Sequence, residues 1–258
     1  MRPLVSVIAT LVLALIAPLT TPRLHAADLP RVLVYTRNGL TLEGKPGYVH
    51  DNIPASVAML RRLGATHGFA VDVTDDPAAF SPAGLRPYRV LVFTNTNNQI
   101  FDTDAQQAAL QAFIRGGGGF VGLHSACGSM RAWPWFWALA GGSFVRHPKL
   151  QPITLHVVDR THPSTAHLGA RWVWTDEFYY LRDMPAGLHV LLAGDLTALV
   201  DPQKPAGETT RPLAWCRSFE GGRTWFTTLG HRKEAYSDPA FEKHVLGGIQ
   251  WALGPTQP

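Results

Sequence analysis

The chain has 258 residues, 46% of them apolar and only 16% charged, with a formal charge of +4. That length, less a leader, suits one large domain with a single core that needs no disulfide staples. The composition is that of a globular α/β protein and not a disordered one. Its Lys and Arg residues are scattered and form no basic stripe or block, which excludes nucleic acid as a partner.

At the N-terminus, Met1-Arg2-Pro3 precedes a nearly unbroken apolar run from Leu4 to Leu19. Pro22 breaks that run, and Leu24-His25-Ala26 offers a small residue at a cleavage point. The run is short for a spanning helix, and no cysteine follows it to carry a lipid. The expectation is a signal peptide over residues 1–26, no membrane anchor after its removal, and one domain over 27–258. The destination is the bacterial periplasm or the medium.

Arg31 to Thr36 is rich in β-branched residues and predicts a first, buried strand. After a Gly-rich loop, Asp51 or Asn52 can cap a helix with Pro54 in its first turn, and Ile53, Val57, Leu60 and Leu63 keep helical spacing. Phe69–Val73 and Tyr88–Thr94 predict two more strands, the second running into the polar loop Asn95-Thr96-Asn97-Asn98. Asp102 or Thr103 starts a helix whose inner face holds Ala105, Ala109, Phe113 and Ile114. The glycines from 116 to 119 end it and lead into the strand Phe120-Val121-Gly122-Leu123-His124. Strand and helix thus alternate through the first half, as in a parallel sheet with right-handed crossovers.

Beyond Gly142 strands dominate: Ile153–Val158, Trp172–Trp174, His189–Leu192, Leu213–Phe219 and Thr224–Leu229, some of them antiparallel. Asp238 or Pro239 opens a last amphipathic helix with Phe241, Val245, Leu246, Ile249 and Trp251 inward. Cys127 and Cys216 have no CxxC spacing, so they form no zinc ribbon; a buried free thiol and a single disulfide both remain open.

Histidines and acids recur where the apolar runs end, which in open α/β sheets is the ligand-binding edge. His50 and Asp51 precede the first helix, and His124 and Ser125 follow the Gly-rich strand. Asp176, Glu177 and Tyr179 follow Trp174, and His231 with Glu234 follows Leu229-Gly230. Gly122-Leu123-His124-Ser125-Ala126 has the layout of a strand entering a sharp elbow, where hydrolases and amidotransferases place a Ser or Cys nucleophile. Histidine stands there instead, fit for proton transfer or metal ligation, with Ser125 or Cys127 as rival nucleophiles. His147, after a Gly-rich turn, can face the same pocket. Asp159 to Thr165 reads as a turn in which His162 is structural. Of the aromatic cluster Trp133, Trp135, Phe136 and Trp137, one tryptophan can line a sugar site.

In these stretches the chain resembles the ThuA-like family, named for trehalose utilisation, within the class I glutamine-amidotransferase-like fold. The resemblance rests on His50-Asp51, Gly117–His124, Ala132-Trp133-Pro134-Trp135, Phe144–Pro148, Asp159–Thr165, Thr175–Tyr179, Pro212–Trp215 and Gly230-His231 with Glu234 and Tyr236. It implies a flavodoxin-like three-layer α/β sandwich, with a mainly parallel central sheet and added antiparallel strands in the second half. It also implies a link to sugar metabolism, keto-sugars included. The elbow cysteine of the amidotransferases is absent, which excludes thioester chemistry at that point.

The expectation is therefore an exported carbohydrate-processing enzyme acting on a glycoside, disaccharide or keto-sugar derivative. His124, His231 and Glu177 are its catalytic candidates. His50, Asp51, Ser125, Asp176, Tyr179 and Glu234 are expected to bind the sugar. His124, His147, His231 and Glu177 are compatible with a divalent zinc, manganese or iron ion. The rival expectation is a non-catalytic sugar-binding or accessory protein on the same scaffold.

Overall fold

A computed structural model describes residues 29–255; the expected leader lies outside the described residues. In chain order the elements are β1 (Arg31–Tyr35), α1 (Ile53–His67), β2 (Ala70–Thr74), α2 (Pro82–Leu85), β3 (Tyr88–Thr94), α3 (Asp104–Arg115) and β4 (Gly119–Leu123). They continue with α4 (Pro134–Ala140), β5 (Ser143–Arg146), β6 (Gln151–Val157), β7 (Arg171–Asp176), β8 (Tyr180–Arg182), β9 (His189–Asp195), β10 (Thr210–Phe219), β11 (Gly222–Thr227) and α5 (Pro239–Leu253).

Nine strands make one sheet in the order β2-β1-β3-β4-β11-β10-β9-β6-β7. The pairs from β2 to β11 are parallel and those from β11 to β7 antiparallel, so the sheet changes character where the sequence does. The inner parallel strands β1, β3 and β4 are buried on both sides and read as nearly continuous apolar runs, as strands between two helical layers must, while the edge strand β2 is half-buried. One core joins the sheet to Met59, Leu60 and Leu63 of α1 and to Phe241, Val245 and Ile249 of α5. The other joins it to Leu110 and Ile114 of α3 and to Phe136 and Leu139 of α4. The architecture is the expected three-layer sandwich.

The structure corrects several local expectations. Asn52 does not cap α1 with its side chain; it is buried and tied to a distant loop. The inward stripe of α3 runs through Ala109, Leu110 and Ile114, leaving Ala105 exposed and Phe113 half-buried. At 3.6 residues per turn, Ala105 points well away from a stripe centred on Leu110. Cys127 and Cys216 are buried and free, and they sit in the two cores on opposite faces of the sheet, beyond reach of a disulfide. The short ribbon β5–β8 was not expected; its four- and three-residue strands carry too little periodicity to show. Among the described residues, no helix is long and apolar enough to cross a membrane.

Three strand ends are level. Thr94 of β3 pairs with Leu123 of β4, which pairs with Thr227 of β11, so the chain leaves all three at one height. Strand β7, four places further along the sheet, points the same way, because four successive antiparallel pairings restore its direction. His50, His124, Glu177 and His231 leave the fold along this edge.

Behind α5 lies a buried polar group of structural kind. Asp159 Oδ1 accepts from the amides of Thr161 and His162 and from the Thr161 hydroxyl, closing the expected turn. The Ser164 hydroxyl meets His162 Nδ1 and accepts from Trp225 Nε1, while His244 Nδ1 donates to the Ser164 carbonyl. Burial pushes His244 down to about 3 and His162 to about 4. Below their ordinary value of 6.5 the unfolded chain takes up protons that the folded one refuses. Stability is therefore full above that pH and falls as the medium is acidified toward the folded values. Each pH unit in that window costs about 1.4 kcal/mol per histidine. Guanidinium unfolding at pH 5 is expected to give about 2 kcal/mol less per histidine than at pH 7. His244→Gln, which still donates to Ser164, is expected to remove its share of that slope; an unchanged slope refutes the assignment.

Candidate functional site

His124 stands at the elbow after β4, where the strand passes into a single 3-10 turn. Its backbone lies at φ +51, the left-handed region that a β-carbon disfavours. Such a conformation costs of order 1–3 kcal/mol and persists only where the surroundings hold it. Here they do: the ring is fully buried, and its Nδ1–H donates to the Thr228 carbonyl at 2.8 Å. That bond leaves Nε2 with a lone pair, and the Tyr179 hydroxyl donates to it at 2.8 Å.

His50 reaches the same place from the loop before α1. The Ser125 hydroxyl donates to the Thr96 carbonyl and its oxygen lies 3.2 Å from His50 Nδ1. Ser125 has one hydrogen, so His50 Nδ1–H is the donor and its Nε2 is bare. The third imidazole, His231, stands on the loop after β11. Gly230 precedes it at φ +113, where a β-carbon would also come within 2.8 Å of the Tyr236 hydroxyl. Asn52 Nδ2 donates to the carbonyls of Gly230 and His231 at 2.8 and 2.6 Å, which is why this asparagine is no helix cap.

Glu177 leaves β7 and turns back over the edge. Its Oε2 lies 3.5 Å from His124 Nε2 and 3.3 Å from His231 Nδ1, and its Oε1 lies 3.4 Å from His147 Nδ1. Ring centroids of His50, His124 and His231 are 4.8 to 5.5 Å apart. One ligating atom from each of His50, His124, Glu177 and His231 falls within 4.8 Å of the others. Burial pushes His50 down to about 3, helped by the positive character of His124 and His231. Burial lowers His231 as well. Burial would raise Glu177, but the surrounding imidazoles of His124, His231 and His147 outweigh it and keep this acid below the usual carboxylate range.

The cluster lines a cavity of about 350 Å³ whose wall also includes Tyr48, Asn97, Arg131 and Phe144. Arg131 is anchored by its Nε–H to the Gly128 carbonyl and lies over the Phe144 ring at 5.4 Å. His147 sits at the exposed rim with its ring along Tyr179 and Nδ1 2.8 Å from the Pro148 carbonyl, so it borders the cluster while His50 completes it.

Of the ten residues expected at the site, His50, Ser125, His147, Glu177, Tyr179 and His231 line the cavity, and His124 lies just beneath it. The other three do not face it. Asp51 is exposed beside Lys233, because it follows the inward-pointing His50 by one residue. Glu234 is exposed on a 3-10 turn with its carboxylate near Arg232. Asp176 is fully buried, but both oxygens are occupied: Oδ1 accepts from the amides of Glu177 and His231, and Oδ2 from the Gly230 amide and Trp174 Nε1. It holds the His231 loop against the Glu177 turn. None of Trp133, Trp135 and Trp137 lines the cavity. Asn97, Arg131 and Phe144 were missed, since they come from irregular segments or a four-residue strand without periodicity.

No curated protein matches the chain in sequence. Among solved structures, a ThuA-like protein of Bacteroides uniformis is similar at 24% identity, over 90% of this chain and 95% of that one, with a TM-score of 0.69. A ThuA-like protein of Parabacteroides merdae is similar at 19% identity, over 89% and 92%, with a TM-score of 0.68. The fold also recurs in a cold-adapted β-galactosidase from Rahnella sp. R3, at 14% identity over 86% of this chain and 31% of that one, TM-score 0.54. The family model ThuA, described as trehalose utilisation, matches residues 31–252. With nearly all described residues inside that match, the chain belongs to the ThuA family.

Proposed function

We propose that this protein is an exported enzyme that processes a glycoside, a disaccharide or a keto derivative of one by proton transfer between imidazole and carboxylate groups. The observation that carries the reading is the meeting of His50, His124, Glu177 and His231 at one end of a 350 Å³ cavity on the ligand-binding edge of the sheet. The family's description supplies the sugar, and the leader-like residues 1–26 supply the export. A cavity of that size is at the small end of those that enclose ligands, as a single sugar ring with its flanking groups requires.

The chemistry follows from the groups. A keto group makes the proton on the neighbouring carbon acidic, and removing it opens elimination or isomerisation. Glu177, held below the usual carboxylate range, is ionised at neutral pH and is the base. His231, lowered by burial, is neutral there and can relay the proton. Arg131 supplies a fixed positive charge on the cavity wall for an oxygen that gains negative charge in the transition state. Ser125 does not fit a serine hydrolase: its hydroxyl donates to Thr96, and the nitrogen facing it is His50 Nδ1–H, a donor and not a base.

The test is turnover of a panel of disaccharides and their 3-keto derivatives by the purified mature chain. Turnover of at least one keto-sugar, lost in His231→Ala with folding preserved, is the expected result. Binding of sugars without turnover in any member turns the reading to an accessory protein that uses the cavity for recognition alone.

A further inference from the structure

We infer that His50, His124, His231 and Glu177 together bind one divalent transition-metal ion, of the zinc, manganese or cobalt class. This deepens the functional reading and rests on the same cluster as its reactive centre: Glu177 gives Oε2 and His231 gives Nδ1 to the ion, leaving Oε1 as the base and the other ring nitrogen for the relay. The argument begins with where the hydrogens are. Thr228 fixes the proton of His124 on Nδ1, and Ser125 with Thr96 fixes that of His50 on Nδ1. Both rings therefore turn bare Nε2 lone pairs inward. Metal-binding histidines are oriented in the same way, by a carbonyl or hydroxyl on the far nitrogen.

His231 Nδ1 is buried and has no hydrogen-bond partner. It lies 3.3 Å from Glu177 Oε2, while His124 Nε2 lies 3.5 Å from the same oxygen. Donor atoms on a tetrahedral zinc ion, at bond lengths of 2.0–2.1 Å, stand about 3.3 Å apart. The two separations to Glu177 Oε2 are already those of neighbouring ligands, and the remaining ones, all within 4.8 Å, close by a small turn of the side chains. The bare Nε2 nitrogens of His50 and His124 facing a carboxylate form a cup suited to a positive charge at its centre. Three imidazoles and one carboxylate suit zinc, manganese, iron or cobalt, and not the all-oxygen preference of calcium or magnesium.

The set differs from the one expected from sequence: His50 replaces His147. His147 stands outside the four-residue group, at the exposed rim, with its Nδ1 against the Pro148 carbonyl. The Tyr179 hydroxyl occupies the His124 lone pair at 2.8 Å and must release it to the ion. It is a neighbour of the site and not a ligand.

The experiment strips the purified mature chain with a chelator and titrates it with Zn2+, Mn2+ and Co2+ by calorimetry. The visible spectrum of the Co2+ form reports coordination independently of activity. One equivalent is expected, with the intense bands of low-coordinate cobalt. Glu177→Gln and His50→Ala are each expected to weaken binding by at least about tenfold, since even outer partners of a metal ligand are worth that much. Glu234→Gln, on the exposed turn nearby, is expected to leave affinity unchanged within twofold. Circular dichroism confirms that each variant is folded. Failure to bind any of the three ions at millimolar concentration overturns the proposal, as does unchanged affinity in both ligand variants. Keto-sugar turnover by chelator-treated chain that binds no ion sinks the metal and leaves the acid–base reading standing. One ion bound through these side chains without turnover of any sugar upholds the metal and sinks that reading.

Discussion

Glu177→Gln is expected to lower turnover of a keto-sugar by about a thousandfold while the protein folds as before. The substitution keeps the shape of the side chain and removes its basicity. General-base catalysis is worth about 10²–10⁴ in rate, and a thousandfold loss is about 4 kcal/mol in the barrier. Among the described residues Glu177 is the sole carboxylate on the cavity wall, so no neighbour there stands ready to replace it. Asp176, one residue away, has both oxygens committed to backbone and indole donors. The unfolding midpoint is expected to stay within about 3 °C of the wild type, since the amide fills the same space in this buried cluster and shifts stability by no more than about 1 kcal/mol. Paired measurement of kcat/KM and thermal unfolding checks both halves. Wild-type turnover by Glu177→Gln removes this residue from the chemistry.

The sequence carried the fold well where the physics is local. Val90–Phe93 is an unbroken apolar run because β3 is covered on both faces there, and the strand's bounds, Tyr88–Thr94, coincide with the expected ones. The shift from helix–strand alternation to strands after Gly142 coincides with the change from parallel to antiparallel pairing. The site was legible to the extent that its residues follow strands. His124 and His231 lie after β4 and β11, whose ends are level, so position in sequence implied position in space. What remained hidden was the direction of neighbouring side chains. His50 and Asp51 are adjacent, yet one is buried and the other exposed. Asp176 and Glu177 are an equally close pair, and the turn that leaves β7 decides which carboxylate clamps backbone and which enters the cavity. No periodicity governs such turns. The role of Asn52 is hidden for the same reason, since it depends on the Gly230–His231 loop brought near by the fold.

Asp176→Ala is the counterpart that is expected to break the framework and not the chemistry. Four N–H groups, two buried and two half-buried, share this carboxylate, two on each oxygen: the amides of Glu177 and His231 on one, the Gly230 amide and Trp174 Nε1 on the other. Alanine leaves all four without an acceptor. A buried donor left unpaired costs about 1–3 kcal/mol, and part of that is recovered as the loop relaxes or water enters. The expected loss is about 4 kcal/mol of stability, a large share of the 5–15 kcal/mol available to a typical domain. Asp176→Asn keeps one oxygen and its two donors but turns an amide N–H₂ against the other pair, so about half that loss is expected. Release of the Gly230–His231 loop also moves His231 from Glu177, and a displacement of about 1 Å at a reacting group is worth roughly a hundredfold in rate. The order in denaturant midpoint is therefore wild type, Asp176→Asn, Asp176→Ala, with activity falling in the same order. Glu177→Gln departs from that series by losing activity without stability. If Asp176→Ala unfolds within about 1 kcal/mol of the wild type, the four donors have found other acceptors, and Asp176 is not what positions His231.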